Sequence, residues 1–360
     1  MASGEIHLKH VGEVKGRITK EGYQNSNARI LPAGTVLIAL AGQGKTRGTV
    51  AITEIELTTN QSVAAIEIDR SKASPLFVYY NLDNRYQELR RVSSGDGRAG
   101  LNLNILSELR LLLPPLAEQK KIADILSTWD SSENVAERNL NLKKLYQVGL
   151  QERLLNKDTI KEVTLGSIGM PYGGLNGKTK EDFNGVGASY VTYKNIFQNT
   201  RVDCGRFEKV RIGKSEKQNV IEYGDILFTI SSETAEEVGM SSVVLDRISG
   251  VYLNSFCFGY RLNNFKTLLP EYARYLFRGL KFREQMYKLA QGYTRYNISK
   301  TKVMDIRIKV PSVAVQEKTA RLFSAMEDEV SLLANQIEKI REQKRGLMQK
   351  LLTGEILVKI

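Results

Sequence analysis

The last stretch of the chain carries its clearest pattern. Apolar side chains recur at Met326, Val330, Leu333, Ile337, Ile340, Leu347 and Leu351, in steps of 4, 3, 4, 3, 7 and 4, broken only at Lys344. A spacing of 3.5 residues sustained over several turns predicts a coiled coil, not a helix lying on a globular core. A weaker seam lies 197 positions earlier, at Trp129, Glu133, Ala136, Leu140, Lys143, Gln147, Leu150 and Leu154, with Ile122, Ile125, Leu142 and Leu145 nearby. Each helix follows a proline that closes a β-like run (109–113 and 306–310), a residue suited to the first helical turn. At about 39 residues each helix would be ~58 Å long. Two helices of matching length in one chain are the economical partners for each other.

The two helices belong to an internal duplication. Arg110-Leu111-Leu112-Leu113-Pro114-Pro115-Leu116-Ala117-Glu118-Gln119 matches Arg307-Ile308-Lys309-Val310-Pro311-Ser312-Val313-Ala314-Val315-Gln316 at an offset of 197, without a gap from Arg98/Arg295 to Leu154/Leu351. Upstream, Gly34 faces Gly224 and Asn60 faces Asn254, at offsets of 190 and 194. The drift marks small insertions in the second copy, as in loops on a shared scaffold. The chain reads as variable half, constant helix, variable half, constant helix.

The variable halves are β-rich. Short β-branched or aromatic runs occupy residues 35–40, 48–57, 63–68, 225–230, 242–245 and 252–261, and helical stretches occupy 75–91 and 269–290. The expected fold class is α+β, with two tandem mixed α/β domains and two long coiled-coil helices. The boundaries fall at 1–113, 114–155, 156–310 and 311–353, with a tail at 354–360.

Charge adds a direction. Lys and Arg total 52 against 40 Asp and Glu, a formal net charge of +12. Such an excess attracts polyanions, although it also serves solubility. The two cysteines, Cys204 and Cys257, lack zinc-site spacing, and two histidines near the start, His7 and His10, make a poor metal site. No apolar run approaches the ~20 residues of a membrane span, and the start has no apolar signal core, so the expected compartment is the cytoplasm.

Residues 39–46 imitate a phosphate loop, but Ala39 stands where glycine is needed and the following 47–52 read as a strand. Without a helix N-terminus to face phosphate, ATP binding is rejected. Two readings of that loop stay open: a cationic DNA-contacting loop presenting Lys45 and Arg47, or a plain glycine turn. No Ser-His-Asp or Cys-His set, no Asn-Pro-Pro-aromatic run and no dinucleotide fingerprint occurs, so catalysis by this chain is not expected. Loops 91–100 and 291–299 hold equivalent places before each constant helix and offer Arg98, Tyr293, Arg295 and Tyr296. A glycine-rich basic loop at 173–180, carrying Lys178 and Lys180, belongs to the second half. For each loop, arginine readout of guanine or phosphate stands beside the plain alternative of a solvated turn.

These residues carry a family resemblance. Leu113-Pro114-Pro115-Leu116-Ala117-Glu118-Gln119-Lys120-Lys121-Ile122 resembles the opening of the conserved helix of type I restriction-modification specificity subunits. Leu347-Met348-Gln349-Lys350-Leu351-Leu352-Thr353-Gly354 resembles its close, and residues 42–48 with Thr59-Asn60-Gln61-Ser62 resemble the glycine-loop pattern of the family's target-recognition domains. Residues 174–179 and 190–196 are similar to the start of another such domain.

The resemblance implies that each domain reads half of a bipartite site in double-stranded DNA while the helices pair antiparallel and set the spacer. It implies two modification subunits as partners, which bind S-adenosylmethionine and methylate adenine, and restriction subunits that use ATP and Mg. This chain would bind neither cofactor. Lengthening one helix by four residues would shift the domains by ~6 Å, or roughly two base pairs. The alternative is a stand-alone DNA-binding coiled-coil scaffold with no methyltransferase partner. One departure stands out: 6–11 matches 190–196, so the first domain is expected to be shortened at its N-terminal side.

Overall fold

The computed structural model describes residues 1–6, 9–42, 44–92, 101–157, 161–213 and 215–359. They form two compact units, Met1–Leu140 with Leu333–Ile360, and Asn141–Leu332.

In the first unit the order is β1 (His10–Val11), α1 (Lys20–Gln24), β2 (Val36–Ala39), β3 (Val50–Thr53), β4 (Val63–Ile66), α2 (Pro75–Asn84), α3 (Tyr86–Val92), α4 (Leu103–Ser107) and the long α5 (Leu116–Leu155). The strands form one sheet, β1-β3-β2-β4, antiparallel except for the β1–β3 pair. Alternate residues feed opposite faces. Val36 and Ile38 join a core with Phe77, Tyr80 and Leu89, whereas Leu37 and Ala39 join another with Ile6, Val11 and Leu31. With both faces covered, β2 reads as an unbroken apolar run, and β3 as one up to the buried Thr53. The path from β2 through residues 40–49 is strand–loop–strand, so no helix follows the glycine loop.

The second unit continues with β5 (Lys161–Thr164), α6 (Leu165–Ile168), β6 (Gly169–Gly173), β7 (Ala188–Val191), α7 (Tyr193–Gln198), β8 (Glu208–Val210), β9 (Ile226–Thr229), β10 (Ser231–Ser232), β11 (Ser241–Val243), β12 (Val251–Leu253), β13 (Cys257–Leu262), α8 (Pro270–Leu276), α9 (Leu280–Leu289), β14 (Tyr296–Asn297), α10 (Lys300–Met304), β15 (Arg307–Val310) and the start of α11 (Val313–Leu352). Its main sheet runs β11-β9-β13-β6, beside a β12-β7-β8 sheet and the β15-β5 and β10-β14 ribbons. Ile226 and Phe228 face a core with Tyr260 and Phe277, and Leu227 faces another with Val191 and Leu253.

The duplicated segments fold alike. β2, β3 and β4 recur as β9, β11 and β13 with the same antiparallel pairings. Each long helix is latched by one buried glutamine. Gln119 accepts from the Ser74 amide (2.9 Å) and donates to the carbonyls of Lys72 (3.2 Å) and Pro114 (2.8 Å). Gln316 accepts from the Leu269 amide (2.9 Å) and donates to the carbonyls of Thr267 (2.8 Å) and Pro311 (2.9 Å).

Two expectations need correction. Asn60 donates to the Met1 carbonyl as Asn254 donates to that of Val191, so Ile6 stands at the place of Ile196, not of Tyr190. Likewise His10 pairs in parallel with Ile52 as Arg201 does with Val243. The first unit therefore has no counterpart of β5, α6, β6 or β7 among the described residues. The β-like run at 109–113 is not a strand, whereas its repeat β15 is, because β5 lies against β15.

The two long helices pair antiparallel. In the first unit Ile122, Ala123 and Leu126 near the start of α5 share a core with Met348, Leu351 and Leu352 near the end of α11. In the second, Leu155 at the end of α5 packs with Ala320 and Phe323 near the start of α11. Of the predicted seam, Ile337 and Leu351 are buried, and Trp129, Leu140, Leu150, Leu154, Met326, Val330, Leu333, Ile340 and Leu347 are half-buried. Lys344, which interrupts the apolar pattern, is itself a buried seam residue. It donates to Asp130 (2.5 Å), which also accepts from Tyr80 (2.6 Å) and Lys9 (3.2 Å). Arg341 bonds Glu133 (2.7 Å) and Glu137 beside it. Burial opposes the Asp130 charge, but Lys344, Tyr80 and Lys9 outweigh it and hold the carboxyl below its usual range.

Candidate nucleic-acid interface

In the second unit two loops are brought together by the smallest ribbon. β10 pairs antiparallel with β14, Ser231 against Asn297 and Ser232 against Tyr296. This places loop 233–240 beside loop 291–295. Gly292 adopts φ 133° and passes so close to the Arg295 carbonyl that a side chain there would collide with it. Tyr293 at the loop tip is 100% exposed, and Arg295 is exposed, with no ion pair or ring contact among the described residues drawing it back.

Between the loops lies a concavity of about 340 Å³. Its floor is the stacked pair Tyr193 and Phe197, ring centroids 5.9 Å apart and planes 17° from parallel. Its rim carries Glu233, Glu237, Phe256 and Arg295. The Tyr193 hydroxyl donates to the Ser231 carbonyl (2.7 Å), fixing floor to ribbon, and burial raises its pKa. Ser232 donates to Glu237 (3.3 Å), and neither Glu233 nor Glu237 pairs with a cation among the described residues. An aromatic floor with carboxylate acceptors and a guanidinium donor at the rim suits base edges: carboxylate takes the cytosine amino group, and arginine takes guanine.

The loop is held from behind by two arginines that sequence reasoning missed. Arg283 donates to the carbonyls of Glu236 (2.6 Å), Val238 (2.6 Å) and Gly239 (2.7 Å). Arg278 donates to those of Ser241 (2.7 Å), Ile196 (2.7 Å) and Asn199 (3.0 Å). Burial pulls both guanidinium groups down to about 10. Both lie in the helical stretch 269–290. Their charge is directed inward at backbone, so they shape the loop and do not contact a ligand.

The remaining predicted residues divide. Lys180 is exposed. Lys178 is corrected: its side chain is 3% exposed and its ammonium meets Glu216, so it ties down its own glycine loop. Tyr296 is half-buried and packs on the unit's core. In the first unit Lys45 is exposed and Arg47 half-buried. Their loop lies on α3: Tyr86 donates to the Lys45 carbonyl (2.7 Å), and Arg90 donates to that of Gly44. Arg98 and most of its loop lie outside the described residues. Among the described residues there is no group of three metal-ligating side chains, and no helix is long and apolar enough to cross a membrane.

The family model described as the type I restriction modification DNA specificity domain matches residues 3–144 and again 157–342. The chain belongs to this family. Its double match coincides with the two copies of the repeat. Among relatives in the family, the type I restriction enzyme MjaVIII specificity subunit of Methanocaldococcus jannaschii is 21% identical over 79% of this chain and 71% of its own length. The putative MjaX specificity subunit of the same organism is 23% identical over 98% of this chain and 87% of its own. A chain from a structure on assembly and conformational transition of the type I system matches with TM-score 0.67 at 14% identity, covering 99% of this chain and 91% of that one. The HsdS subunit of Thermoanaerobacter tengcongensis matches with TM-score 0.53 at 15% identity, covering 92% and 85%. Specificity subunits supply DNA target recognition within a restriction-modification complex, and the stand-alone scaffold is not favoured.

Proposed function

We propose that this chain addresses two modification subunits, and with them restriction subunits, to a two-part site in duplex DNA. The observation that carries this reading is the duplication itself: two copies of a DNA specificity domain joined through one antiparallel helix pair. Each copy reads one half-site, and the length of the helices sets the number of unread base pairs between them. Lys45 and Lys180 grip phosphate, with Arg47 and Arg98 as further candidates in the first copy. In the second copy Arg295 and Tyr293 enter the groove beside Glu233 and Glu237, which accept from amino groups of cytosine or adenine.

Chemistry falls to the partners. S-adenosylmethionine is bound by the modification subunits and ATP with Mg by the restriction subunits, with none on this chain, and the complex works in the cytoplasm. The test is reconstitution: this chain with its modification subunit should methylate adenine at a split site, and neither protein should do so alone. Methylation by the modification subunit without this chain would refute the assignment.

A further inference from the structure

The second unit presents a projection and a recess side by side. A protein element that reads the major groove must project into a channel about 12 Å wide. The hairpin tip does project. Gln291 and Asn297 exchange both backbone hydrogen bonds (2.9 and 2.8 Å), and the turn beyond them holds Tyr293 fully exposed. The concavity beside it has the opposite shape and can only receive what DNA pushes outward. At about 340 Å³ it lies at the small end of ligand sites, which span roughly 300–1,000 Å³.

Two parts of a duplex can be pushed outward, a phosphate and a base swung out of the stack. Glu233 and Glu237 on the rim repel a phosphate, whereas carboxylates accept from the amino group of cytosine or adenine. The Ser232 hydroxyl aims Glu237 (3.3 Å). The walls are aromatic: Tyr193 and Phe197 form the floor, and Phe256 stands at the rim, 63% exposed. Aromatic faces stack an unpaired base whatever its identity. The recess is also built in advance. The Phe256 amide donates to the Asn254 side chain (2.8 Å) and its carbonyl accepts from the Ile230 amide (3.0 Å), while Arg278 and Arg283 tie floor and loop from behind. A cationic side chain also suits rings and carboxylates, but Arg295 on the same rim opposes it. In the first copy Ser62 makes the bonds of Phe256, its amide donating to the Asn60 side chain and its carbonyl accepting from the Leu40 amide. The aromatic rim there belongs to the second copy alone.

We propose that the second copy holds one amino-bearing base, cytosine or adenine, outside the duplex. The base stacks in the recess with its amino group on Glu237, and Tyr293 stacks into the gap that it leaves. This inference rests on the DNA-recognition reading and adds that one base pair is read by being opened. Opening a pair costs free energy, and least where the pair is already mismatched.

The probe is a set of duplexes carrying the two-part site mapped from its methylated adenines, with a mismatch walked along each half-site by changing one strand at a time. The full chain is titrated without modification subunits, because methyltransferases flip a target base of their own. At one position of one half-site, changing the strand opposite the held base should tighten binding on the order of tenfold, since that pair no longer has to be broken. Everywhere else, including the whole half-site read by the first copy, a mismatch should weaken binding. Phe256→Ala with Glu237→Gln, both at exposed positions, should remove the preference for the mismatch while the chain stays folded. Weakening at every position would overturn the proposal and leave the DNA-recognition reading standing. So would a mismatch preference that survives the double variant. Failure to bind the matched duplex at any salt concentration would instead refute that reading, and this inference with it.

Discussion

Lys344 and Asp130 meet at 2.5 Å across the two long helices, both nearly buried (side chains 7% and 8% exposed), at the one place where the apolar seam is broken. A lysine among seam leucines faces a carboxylate in the opposite helix, so the pair fits one antiparallel register and penalises its neighbours.

Removing one partner should be much worse than removing both. Lys344→Met leaves Asp130 buried with Lys9 alone as its cation and should destabilise the chain by about 3 kcal/mol. Lys344→Met with Asp130→Leu should recover most of that loss. Chemical denaturation of the single and double variants measures the difference.

Acid should act through the same site. The Asp130 and Glu133 carboxyls are held below their usual range, burial being outweighed by Lys344, Tyr80 and Lys9 at Asp130 and by Arg341, Lys9 and Lys344 at Glu133. A carboxyl with a lowered folded-state pKa stabilises above its unfolded value of about 4, and that stability is lost as pH falls through the folded value. Asp83 behaves oppositely: burial raises it, so it protonates first and with a stabilising sign. Melting temperature should therefore drop steeply below about pH 4, and Asp130→Asn should flatten the drop.

The glutamine latches make a paired prediction. Gln119→Ala or Gln316→Ala removes three hydrogen bonds at a buried helix start and should lower stability by about 2–3 kcal/mol. Hydrogen exchange should show the loss centred on residues 72–74 for the first variant and on 267–269 for the second.

Much of this architecture is legible in the chain because it is written twice. The gapless match of 98–154 with 295–351 and the 3.5-residue seam point to paired helices before any coordinates. What escaped depends on partners distant in sequence. Lys178 looks like a free cation until the fold brings Glu216 to it. Arg278 and Arg283 look like surface helix residues until the β9–β11 loop is laid over them. Lys344 breaks the pattern of apolarity while keeping the pattern of burial, because its counter-charge sits on the other helix.

Base readout and phosphate contact should separate by variant. Arg295→Ala and Glu233→Gln should relax one position of one half-site, by about 1–3 kcal/mol, and leave the other half-site intact. Lys45→Ala should weaken binding evenly across sequences and reduce the salt slope by about 0.9. Lys178→Ala should destabilise its loop without changing the salt slope. Binding titrations over a salt series with randomised half-sites distinguish these outcomes.

The helix ruler is the centre of the account, and one measurement addresses it directly. Insert seven residues into α5 after Leu140 and seven into α11 after Leu332, a full heptad in each so that the seam stays in phase. Then map methylated adenines with the modification subunit present. The insertion lengthens the helix pair by ~10 Å, so both half-sites should be retained with about three more base pairs between them. An unchanged spacer, with methylation retained, would contradict it.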